Sequence, residues 1–316
     1  MGKFTIVVHG GAGTILKKNM TPDLEKIYLQ GLHDALFAGD AVLRNGGTAL
    51  QAAKAAVIVL EDNVLFNAGR GSVFNSEGEQ EMDAAVMDGS SLRAGAVTGV
   101  RNVRNPIELA TQVMLKSNHV ILAGKGANDF AKELGIKMEP DEYFFSQYRY
   151  DQWKKLSESE IYALDHTSSD DDSEVTSNRK FGTVGAVACD SEGNLAAATS
   201  TGGMTNKKYG RIGDTPLIGC GTYANNRNCA ISATGHGEPF IRAVAAHDVG
   251  CLMEYKGLSL GEAMRVVVFE KLPSIEGEGG LIGVDAQGNC AMLFNSEGMY
   301  RGYRKSDGSQ EVAIYK

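Results

Sequence analysis

The sequence predicts a layered α+β protein whose sheets are largely antiparallel. Strand candidates group with strand candidates and helix candidates with helix candidates, which argues against the regular alternation of a parallel α/β fold. A local repeat supports this prediction, because residues 186–195 and 282–291 each show a strand, a turn with the pattern D-x-x-G-N and a returning strand. That pattern is typical of an antiparallel hairpin.

Composition sets the broad class of the protein. The chain has 316 residues with 39 glycines, 6 prolines and 43% hydrophobic residues, which is typical of a folded chain with many tight turns. At roughly 150 residues per domain, this length corresponds to two domains or one large one. The net charge of −8 argues against a surface that neutralises phosphates, so we expect no nucleic-acid partner and no membrane partner.

Location and thiol state are predicted from the N-terminus and the cysteines. No apolar run approaches the roughly 18 residues that a membrane helix needs, and the first residues show no cleavage-site pattern. The 5 cysteines are odd in number and form no C-x-x-C pair, so we expect buried free thiols. These features favour a cytoplasmic protein.

The first predicted element is a buried strand over residues 4–9, which meets a tight turn at residues 10–13. Thr21 is a helix N-cap and Pro22 suits the first helical position, so a long amphipathic helix is expected from there to about residue 46.

Two further helices and a strand are predicted before residue 124. Thr48 caps a helix whose alanine-rich body, residues 49–60, indicates close packing against a sheet. Asn105 precedes a third helix over residues 106–116, and residues 119–123 form a strand candidate.

An acidic segment separates the two halves of the chain. Residues 157–178 hold seven acidic residues and no Lys or Arg, which predicts a solvated, mobile linker. An apolar strand over residues 181–188 follows without transition. Farther on, residues 238–255 and 259–272 are helix candidates.

Several common site types find little support. The sequence contains no H-E-x-x-H, paired-cysteine or EF-hand spacing, no complete phosphate or dinucleotide loop, and no G-x-S-x-G elbow. The 6 histidines are scattered, and each is interpreted as a hydrogen-bonded structural residue. Catalysis by a transition metal and nucleotide binding are therefore not expected.

Polar, glycine-bearing turns after the linker carry the candidate chemistry. An Arg fork suits a carboxylate and an Asp accepts from an ammonium, so Arg211 and Asp214 can hold the two ends of an amino acid's α-carbon group. A surface ion pair is the alternative. Residues 234–238 open a predicted helix, and free amides there can stabilise an oxyanion, with an ordinary helix cap as the alternative.

Six motifs, taken together and in this order, resemble one family. They are H-G-G-A-G at 9–13, N-A-G-R-G-S-V-F at 67–74, G-T-V-G-A-V at 182–187, T-S-T-G-G at 199–203, G-R-I-G-D at 210–214 and T-G-H-G-E at 234–238. This set is similar to the plant-type asparaginase and isoaspartyl peptidase family of N-terminal nucleophile (Ntn) hydrolases. The resemblance extends from residue 3 to about residue 303.

The resemblance implies a four-layer αββα sandwich and a chain that cuts itself between Gly182 and Thr183. An α-subunit, 1–182, and a β-subunit, 183–316, would then share one folded domain, and two αβ units would associate as (αβ)2. Cleavage gives Thr183 a free α-amino group, whose unperturbed pKa of about 7.7–8.0 suits a general base near neutral pH.

The resemblance also implies the reaction and its residues. Thr183 would attack the side-chain amide of asparagine or the isopeptide carbonyl of a β-aspartyl dipeptide, and water would hydrolyse the resulting ester. Thr201 would tune the nucleophile, and Thr234 with the Gly235 amide would bind the oxyanion. The remaining roles are carboxylate binding by Arg211, ammonium binding by Asp214 and the Gly237 carbonyl, and a place near the substrate for Asn67.

No catalytic cofactor is implied. The loop near residues 60–74 resembles one whose backbone carbonyls hold a structural sodium ion. The carbonyls implied are those of Leu60, Glu61, Asn63, Phe66, Ala68 and Gly69.

Other functions remain open at the level of sequence. Glycosylasparaginases share the nucleophile, but they are secretory and disulfide-stabilised, which the cysteines here do not favour. Members that cleave proteins after aspartate are a second alternative, although Arg211 and Asp214 suit a small amino-acid head group. A protein of the same fold that binds amino acids and never matures is the third.

Overall fold

The computed structural model of the chain describes residues 2–158 and 182–316. The strands in these ranges are β1 Thr5–Gly13, β2 Met82–Asp88, β3 Ala94–Val100, β4 Ile121–Ala123, β5 Val184–Cys189, β6 Leu195–Thr201, β7 Thr222–Ala224, β8 Cys229–Gly235, β9 Gly279–Asp285, β10 Cys290–Phe294, β11 Gly298–Lys305 and β12 Gln310–Ala313. The helices are α1 Pro22–Arg44, α2 Ala49–Glu61, α3 Pro106–Lys116, α4 Gly124–Glu133, α5 Asp141–Phe144, α6 Gln147–Glu158, α7 Gly237–Ala243, α8 Ala245–Lys256 and α9 Leu260–Val266.

The strands form two sheets that pack face to face. The larger sheet has the order β12-β11-β1-β5-β6-β2-β3-β4, and the smaller one has the order β10-β9-β8-β7. Neighbouring strands are antiparallel, except that β4 runs parallel to β3. Helices α1 to α3 cover the outer face of the larger sheet, and α8 and α9 cover the smaller sheet. The predicted α+β class and the αββα sandwich are confirmed.

Both faces of the central strands β1, β5 and β6 of the larger sheet are buried, which explains their unbroken apolar runs in the sequence. Ile6 and Val8 of β1 pack toward the helices, whereas Val7 packs toward the smaller sheet. On the helix side, Ala52 and Ala56 of α2 are fully buried, and their small side chains let α2 lie close to β5 and β6.

Local capping signals place α1 and α2 as predicted. The Thr21 hydroxyl accepts from the Leu24 N–H, and Pro22 occupies the first position of α1. Thr48 and Gln51 form a reciprocal capping box at the start of α2. The third predicted helix is also present as α3, while the predicted strand at 119–123 is shortened to Ile121–Ala123.

The two predicted hairpins are confirmed, and they share one turn geometry. Asp190 Oδ1 accepts from the N–H groups of Glu192 and Asn194. Asp285 Oδ1 makes the matching pair of bonds in the β9–β10 turn. The aspartate of each D-x-x-G-N motif therefore organises the turn backbone itself.

The predicted turn at residues 10–13 is wrong, because β1 continues through Gly13. A register shift between His9 and Gly11 absorbs Gly10, after which Gly11 pairs with Tyr300 of β11. The partner strand lies almost 300 residues away in sequence, so hydrogen bonding to this distant strand overrides the local turn signals.

The predicted helix over residues 238–255 is two helices. Val244 has the left-handed φ of 49°, which ends α7 and starts α8. The carbonyls of Gly219 and Cys220 accept from the N–H groups of His247 and Ala246 and so bind the first turn of α8. The next predicted helix, over residues 259–272, is α9 followed by a π-helical turn at Val267–Lys271.

The predicted linker at 157–178 begins inside α6, which ends at Glu158. Residues 159–178 lie outside the described residues. All five cysteines are free, as predicted, but Cys251 and Cys290 are half-buried and not fully buried. In residues 2–158 and 182–316, no helix has the length and apolar character needed to cross a membrane.

Candidate active site

Thr183 lies directly before β5 and is only 7% exposed. In the β5–β6 register Val184 faces Ser200, which brings Thr183 beside Thr201 at the end of β6. The Thr183 hydroxyl lies 3.2 Å from Thr201 Oγ1, to which it donates. The candidate nucleophile and its predicted tuning residue are therefore in direct contact.

The carbonyl of Gly182 accepts two hydrogen bonds. Asn67 Nδ2 donates to it at 2.8 Å and Thr201 Oγ1 donates at 2.9 Å. Asn67 is itself fixed, because its Nδ2 also donates to the Gly203 carbonyl and its Oδ1 accepts from the Val73 N–H. This carbonyl belongs to the predicted scissile bond, and the two donors can stabilise negative charge on its oxygen.

Gly182 has no room for a side chain. A Cβ at this position would lie 2.7 Å from Asn67 Cβ. A larger residue would push Asn67 away from the carbonyl. The glycine before the candidate nucleophile is thus required by the approach of Asn67.

A small cavity adjoins Thr183 and contains most of the predicted site. Its lining consists of Gly182, Thr183, Thr201, Gly203, Met204, Arg211, Gly213, Asp214, Thr215, Gly235 and Gly237. Thr234 and Asn67 are not among these described lining residues. The Thr234 hydroxyl accepts from the Ala12 N–H at 3.1 Å, one residue before Gly235.

Asp214 is a buried carboxyl at the wall of this cavity. It is 4% exposed, and its Oδ2 has no hydrogen-bond partner among the described residues. Burial raises the pKa of Asp214 to about 7, although the nearby charge of Arg211 opposes this shift. A buried carboxyl in the wall of a cavity, with one oxygen unpartnered among the described residues, is suited to accept from a ligand ammonium.

Arg211 is paired with a carboxylate of the protein itself. Its Nε and Nη2 donate to the two carboxylate oxygens of Glu238 at 2.8 and 2.7 Å. Burial works to raise the pKa of Glu238, but hydrogen bonds from His236 and Arg211 hold it well below its usual range. The pair orients the guanidinium and leaves Nη1 outside this bidentate contact.

Two glycines keep the space around Arg211 open. A Cβ on Gly213 would lie 3.2 Å from Arg211 Nη1, and a Cβ on Gly237 would lie 3.0 Å from both Nη2 and Asp214 Oδ1. Side chains at these positions would therefore crowd the two groups that are predicted to bind the ends of an amino acid.

The family model described as "Asparaginase" matches residues 2–314. This chain belongs to the asparaginase family. Membership confirms the predicted resemblance and places the chain among Ntn hydrolases.

Curated relatives of this asparaginase-family chain match it over nearly its whole length. The isoaspartyl peptidases of Salmonella typhimurium and Escherichia coli are each 48% identical over 316 residues, covering 100% of this chain and 100% and 97% of their own lengths. An isoaspartyl peptidase/L-asparaginase of Danio rerio is 42% identical over 291 residues, covering 92% of this chain and 89% of its own.

The loop after α2 carries the predicted sodium-binding carbonyls of this asparaginase-family chain, and all of them except that of Glu61 accept a backbone N–H within the loop. Gly69 has φ of +50°, and a Cβ there would lie 2.5 Å from the Glu61 carbonyl oxygen, so the loop closes tightly on itself. Arg149 donates to the carbonyls of Leu65 and Gly71, which lie outside the predicted set. The described residues contain no cluster of His, Cys, Asp or Glu suited to a metal ion. Carbonyl oxygens alone fit a hard cation.

Two charged neighbours of the site were not predicted. Glu238 ends the T-G-H-G-E motif at 234–238. Its position in the first turn of a helix predicts a favourable interaction with the helix dipole, but not a contact with Arg211. Lys207 is 6% exposed, and its Nζ donates to the Glu81 carbonyl at 2.8 Å. Nothing in the sequence pattern marks Lys207 as buried, because its partner Glu81 lies 126 residues away in the sequence.

Proposed function

We propose that this chain is a self-cleaving threonine hydrolase that releases ammonia from L-asparagine and cleaves β-aspartyl dipeptides. The observation that carries the proposal is the buried carboxyl of Asp214, whose Oδ2 has no partner among the described residues and which shares one small cavity with Arg211 and Thr183. A cation binder (Asp214), an anion binder (Arg211) and a hydroxyl nucleophile (Thr183) in one cavity suit a substrate with an α-amino acid head group. The names of the relatives support the same chemistry.

Maturation begins at the Gly182 carbonyl. Thr183 Oγ1 attacks the carbonyl carbon and forms an ester as the peptide C–N bond breaks and the nitrogen takes a proton. Asn67 and Thr201 donate to the oxygen on which negative charge develops. Water then hydrolyses the ester and leaves a Gly182 carboxylate and a free Thr183 amine.

Catalysis uses the amine and the hydroxyl of the same residue. The Thr183 amine takes the hydroxyl proton, and Oγ1 attacks the side-chain amide of the substrate. Thr234 and the Gly235 N–H stabilise the oxyanion. Ammonia or an amino acid leaves with the transferred proton, and water hydrolyses the β-aspartyl ester.

Substrate binding assigns one group to each end of the amino acid. Arg211 binds the α-carboxylate, either beside or in place of Glu238, and Asp214 with the Gly237 carbonyl binds the α-ammonium. The alternative of a non-maturing binding protein is not favoured, because the curated relatives are named as hydrolases.

We also propose a structural sodium ion, held by the carbonyls of residues 60–69 named above. It would supply positive charge that stabilises the loop carrying Asn67, and no step of hydrolysis uses it. An (αβ)2 assembly and a cytoplasmic location complete the proposal.

The decisive test compares Thr183→Ala with Thr183→Ser and the wild type. Thr183→Ala is expected to stay uncut and inactive, whereas Thr183→Ser keeps a hydroxyl and should be cut. Denaturing electrophoresis, N-terminal sequencing and assays with asparagine and β-Asp-Leu measure these outcomes. Wild-type ammonia release by Thr183→Ala would contradict the mechanism, and a persistently intact, inactive wild-type chain would favour the binding protein.

A further inference from the structure

His9 of β1 is fully buried between the two sheets and contacts the backbone of the candidate nucleophile. Its Nδ1 lies 3.0 Å from the carbonyl oxygen of Thr183, and its Nε2 lies 2.8 Å from Ser232 Oγ. Ser232 belongs to β8 of the smaller sheet. The imidazole therefore links the two sheets at the point where β5 begins.

These contacts define the tautomer of His9. A carbonyl oxygen only accepts, so Nδ1 must carry a proton. Burial lowers the pKa of His9 to about 3, although the bond to Thr183 opposes this shift, so the ring is neutral near pH 7. A neutral imidazole has one N–H, and Nε2 must therefore accept from the Ser232 hydroxyl.

Two more hydroxyls lie beyond Ser232. Ser232 Oγ lies 2.8 Å from Thr199 Oγ1, and Thr222 Oγ1 lies 2.7 Å from Thr199 Oγ1. Since the Ser232 proton points to His9, Ser232 accepts from Thr199, and Thr222 can donate either to Thr199 or to the Thr215 carbonyl, which is 3.0 Å away. The tautomer of His9 is therefore fixed by the Thr183 carbonyl, and Ser232 is the second partner of the ring.

Gly185 makes the contact between His9 and Ser232 possible. A Cβ at this position would lie 2.0 Å from Ser232 Oγ and 2.4 Å from His9 Nε2. The φ of Gly185 is not positive, so space and not backbone conformation requires glycine here. The hydrogen-bonded side chains of His9 and Ser232 therefore pack against β5 at Gly185, two residues after the nucleophile.

We propose that His9 is a positioning residue that holds the Thr183 carbonyl through Nδ1–H, with Ser232 fixing the ring through its hydrogen bond to Nε2. The inference rests on the proposed function and adds a residue to it. Cleavage turns Thr183 into a chain end, and chain ends fray unless they are bonded. The amine and hydroxyl must stay free to react, so the carbonyl is the group by which the residue can be held.

Two isosteric variants separate positioning from general packing. Asn places its amide nitrogen where Nδ1 stands and keeps the donor to Thr183. Gln places its amide where Nε2 stands and keeps a contact for Ser232. We expect kcat for asparagine, per mole of cut protein, to be about a hundredfold higher in His9→Asn than in His9→Gln, with KM within about threefold.

If His9→Gln remains uncut, the rates of self-cleavage of His9→Asn and His9→Gln are compared in place of kcat. Equal kcat values, or equal cleavage rates, for the two variants would overturn the proposal, because a purely structural histidine would be replaced equally badly by both. Wild-type protein is assayed in parallel. An inactive wild type would refute the proposed function itself, whereas an active wild type with two equal variants would refute only the role of His9.

A measurement on the wild type does not depend on the folding of a variant. Nitrogen NMR of the cut, 15N-histidine-labelled protein should show His9 protonated at Nδ1 and bare at Nε2. Its signal among the 6 histidines is identified by its loss in whichever His9 variant folds, or by its shift in Ser232→Ala. Ser232→Ala should keep the Nδ1–H form, because the Thr183 carbonyl still accepts from it, and should lower kcat because the ring loses its second hydrogen bond. A wild-type His9 protonated at Nε2 would overturn the proposal.

Discussion

The hydroxyls of Thr183 and Thr201 have hydrogen-bond partners, whereas one oxygen of the nearby Asp214 carboxylate has none among the described residues. The Thr183 hydroxyl donates to Thr201, which donates to the Gly182 carbonyl. Asp214 Oδ2, by contrast, is buried with no partner among the described residues. A buried carboxylate without partners opposes folding when it is ionised, so its presence is understandable as the cost of binding a cationic group.

Asp214→Asn should make the substrate-free protein more stable at high pH. The folded-state pKa of about 7 lies above the usual aspartate pKa of 3.8, so ionisation of Asp214 destabilises the fold as pH rises through this interval. The difference corresponds to roughly 4 kcal/mol at pH 8. The melting temperature of the variant should therefore exceed that of the wild type more at pH 8 than at pH 5.

Asp34→Asn serves as the matched control, because it makes the same substitution at an exposed position of α1. The stabilised Asp214→Asn protein should lose activity toward asparagine, because a neutral amide cannot replace a carboxylate facing an ammonium. A gain in stability that does not grow with pH would contradict the assignment of Asp214.

At the scale of elements, the break between α7 and α8 concentrates strain in one residue. Val244 is β-branched, has a left-handed φ of 49° and is 42% exposed. The left-handed conformation costs a non-glycine residue about 1–2 kcal/mol. The carbonyls of Gly219 and Cys220 bind the following turn and keep the break in place.

Val244→Gly should stabilise the protein by about 1 kcal/mol, since the relief of strain exceeds the entropic cost of glycine. The free energy of unfolding in urea measures the effect. Ile27→Gly is the matched control, because Ile27 is an exposed β-branched residue within α1. That change should destabilise by about 1 kcal/mol. Destabilisation by both substitutions would show that Val244 is not strained.

The elements also show which parts of the structure are predictable from sequence. Helices α1 and α2 follow from caps within a few residues, and the two hairpins follow from their Asp turns. The continuation of β1 depends on β11, and the break at Val244 depends on Gly219, so neither has a local signal. In the site, motif similarity located Thr183, Arg211 and Asp214. The Arg211–Glu238 pair and the His9–Ser232 contact required the folded chain, because they depend on side-chain geometry.

At the scale of the whole molecule, the two predicted subunits are interleaved in one sheet. β5 lies between β1, from residues 1–182, and β6, from residues 183–316. β6 in turn pairs with β2. Cutting the chain before Thr183 therefore removes one peptide bond and leaves every strand pairing intact.

The cut protein should elute as one species from a gel-filtration column and show two fragments only after denaturation. Residues 183–316 expressed alone should not fold, because β5 and β11 would both lack β1. Circular dichroism of that fragment provides the check, with co-expressed residues 1–182 as the control. A stable, folded fragment would argue for two separable domains.

The place of the Gly182 carbonyl between Asn67 and Thr201 has a consequence for the order of events in the cell. Asn67 and Thr201 reach the Gly182 carbonyl only when α2, its following loop and β6 have assembled around β5. Under the proposed mechanism, a chain with mispaired strands cannot cut itself and keeps its amine blocked. Activation by cleavage therefore takes place only in correctly folded chains, and incorrectly folded copies remain inactive.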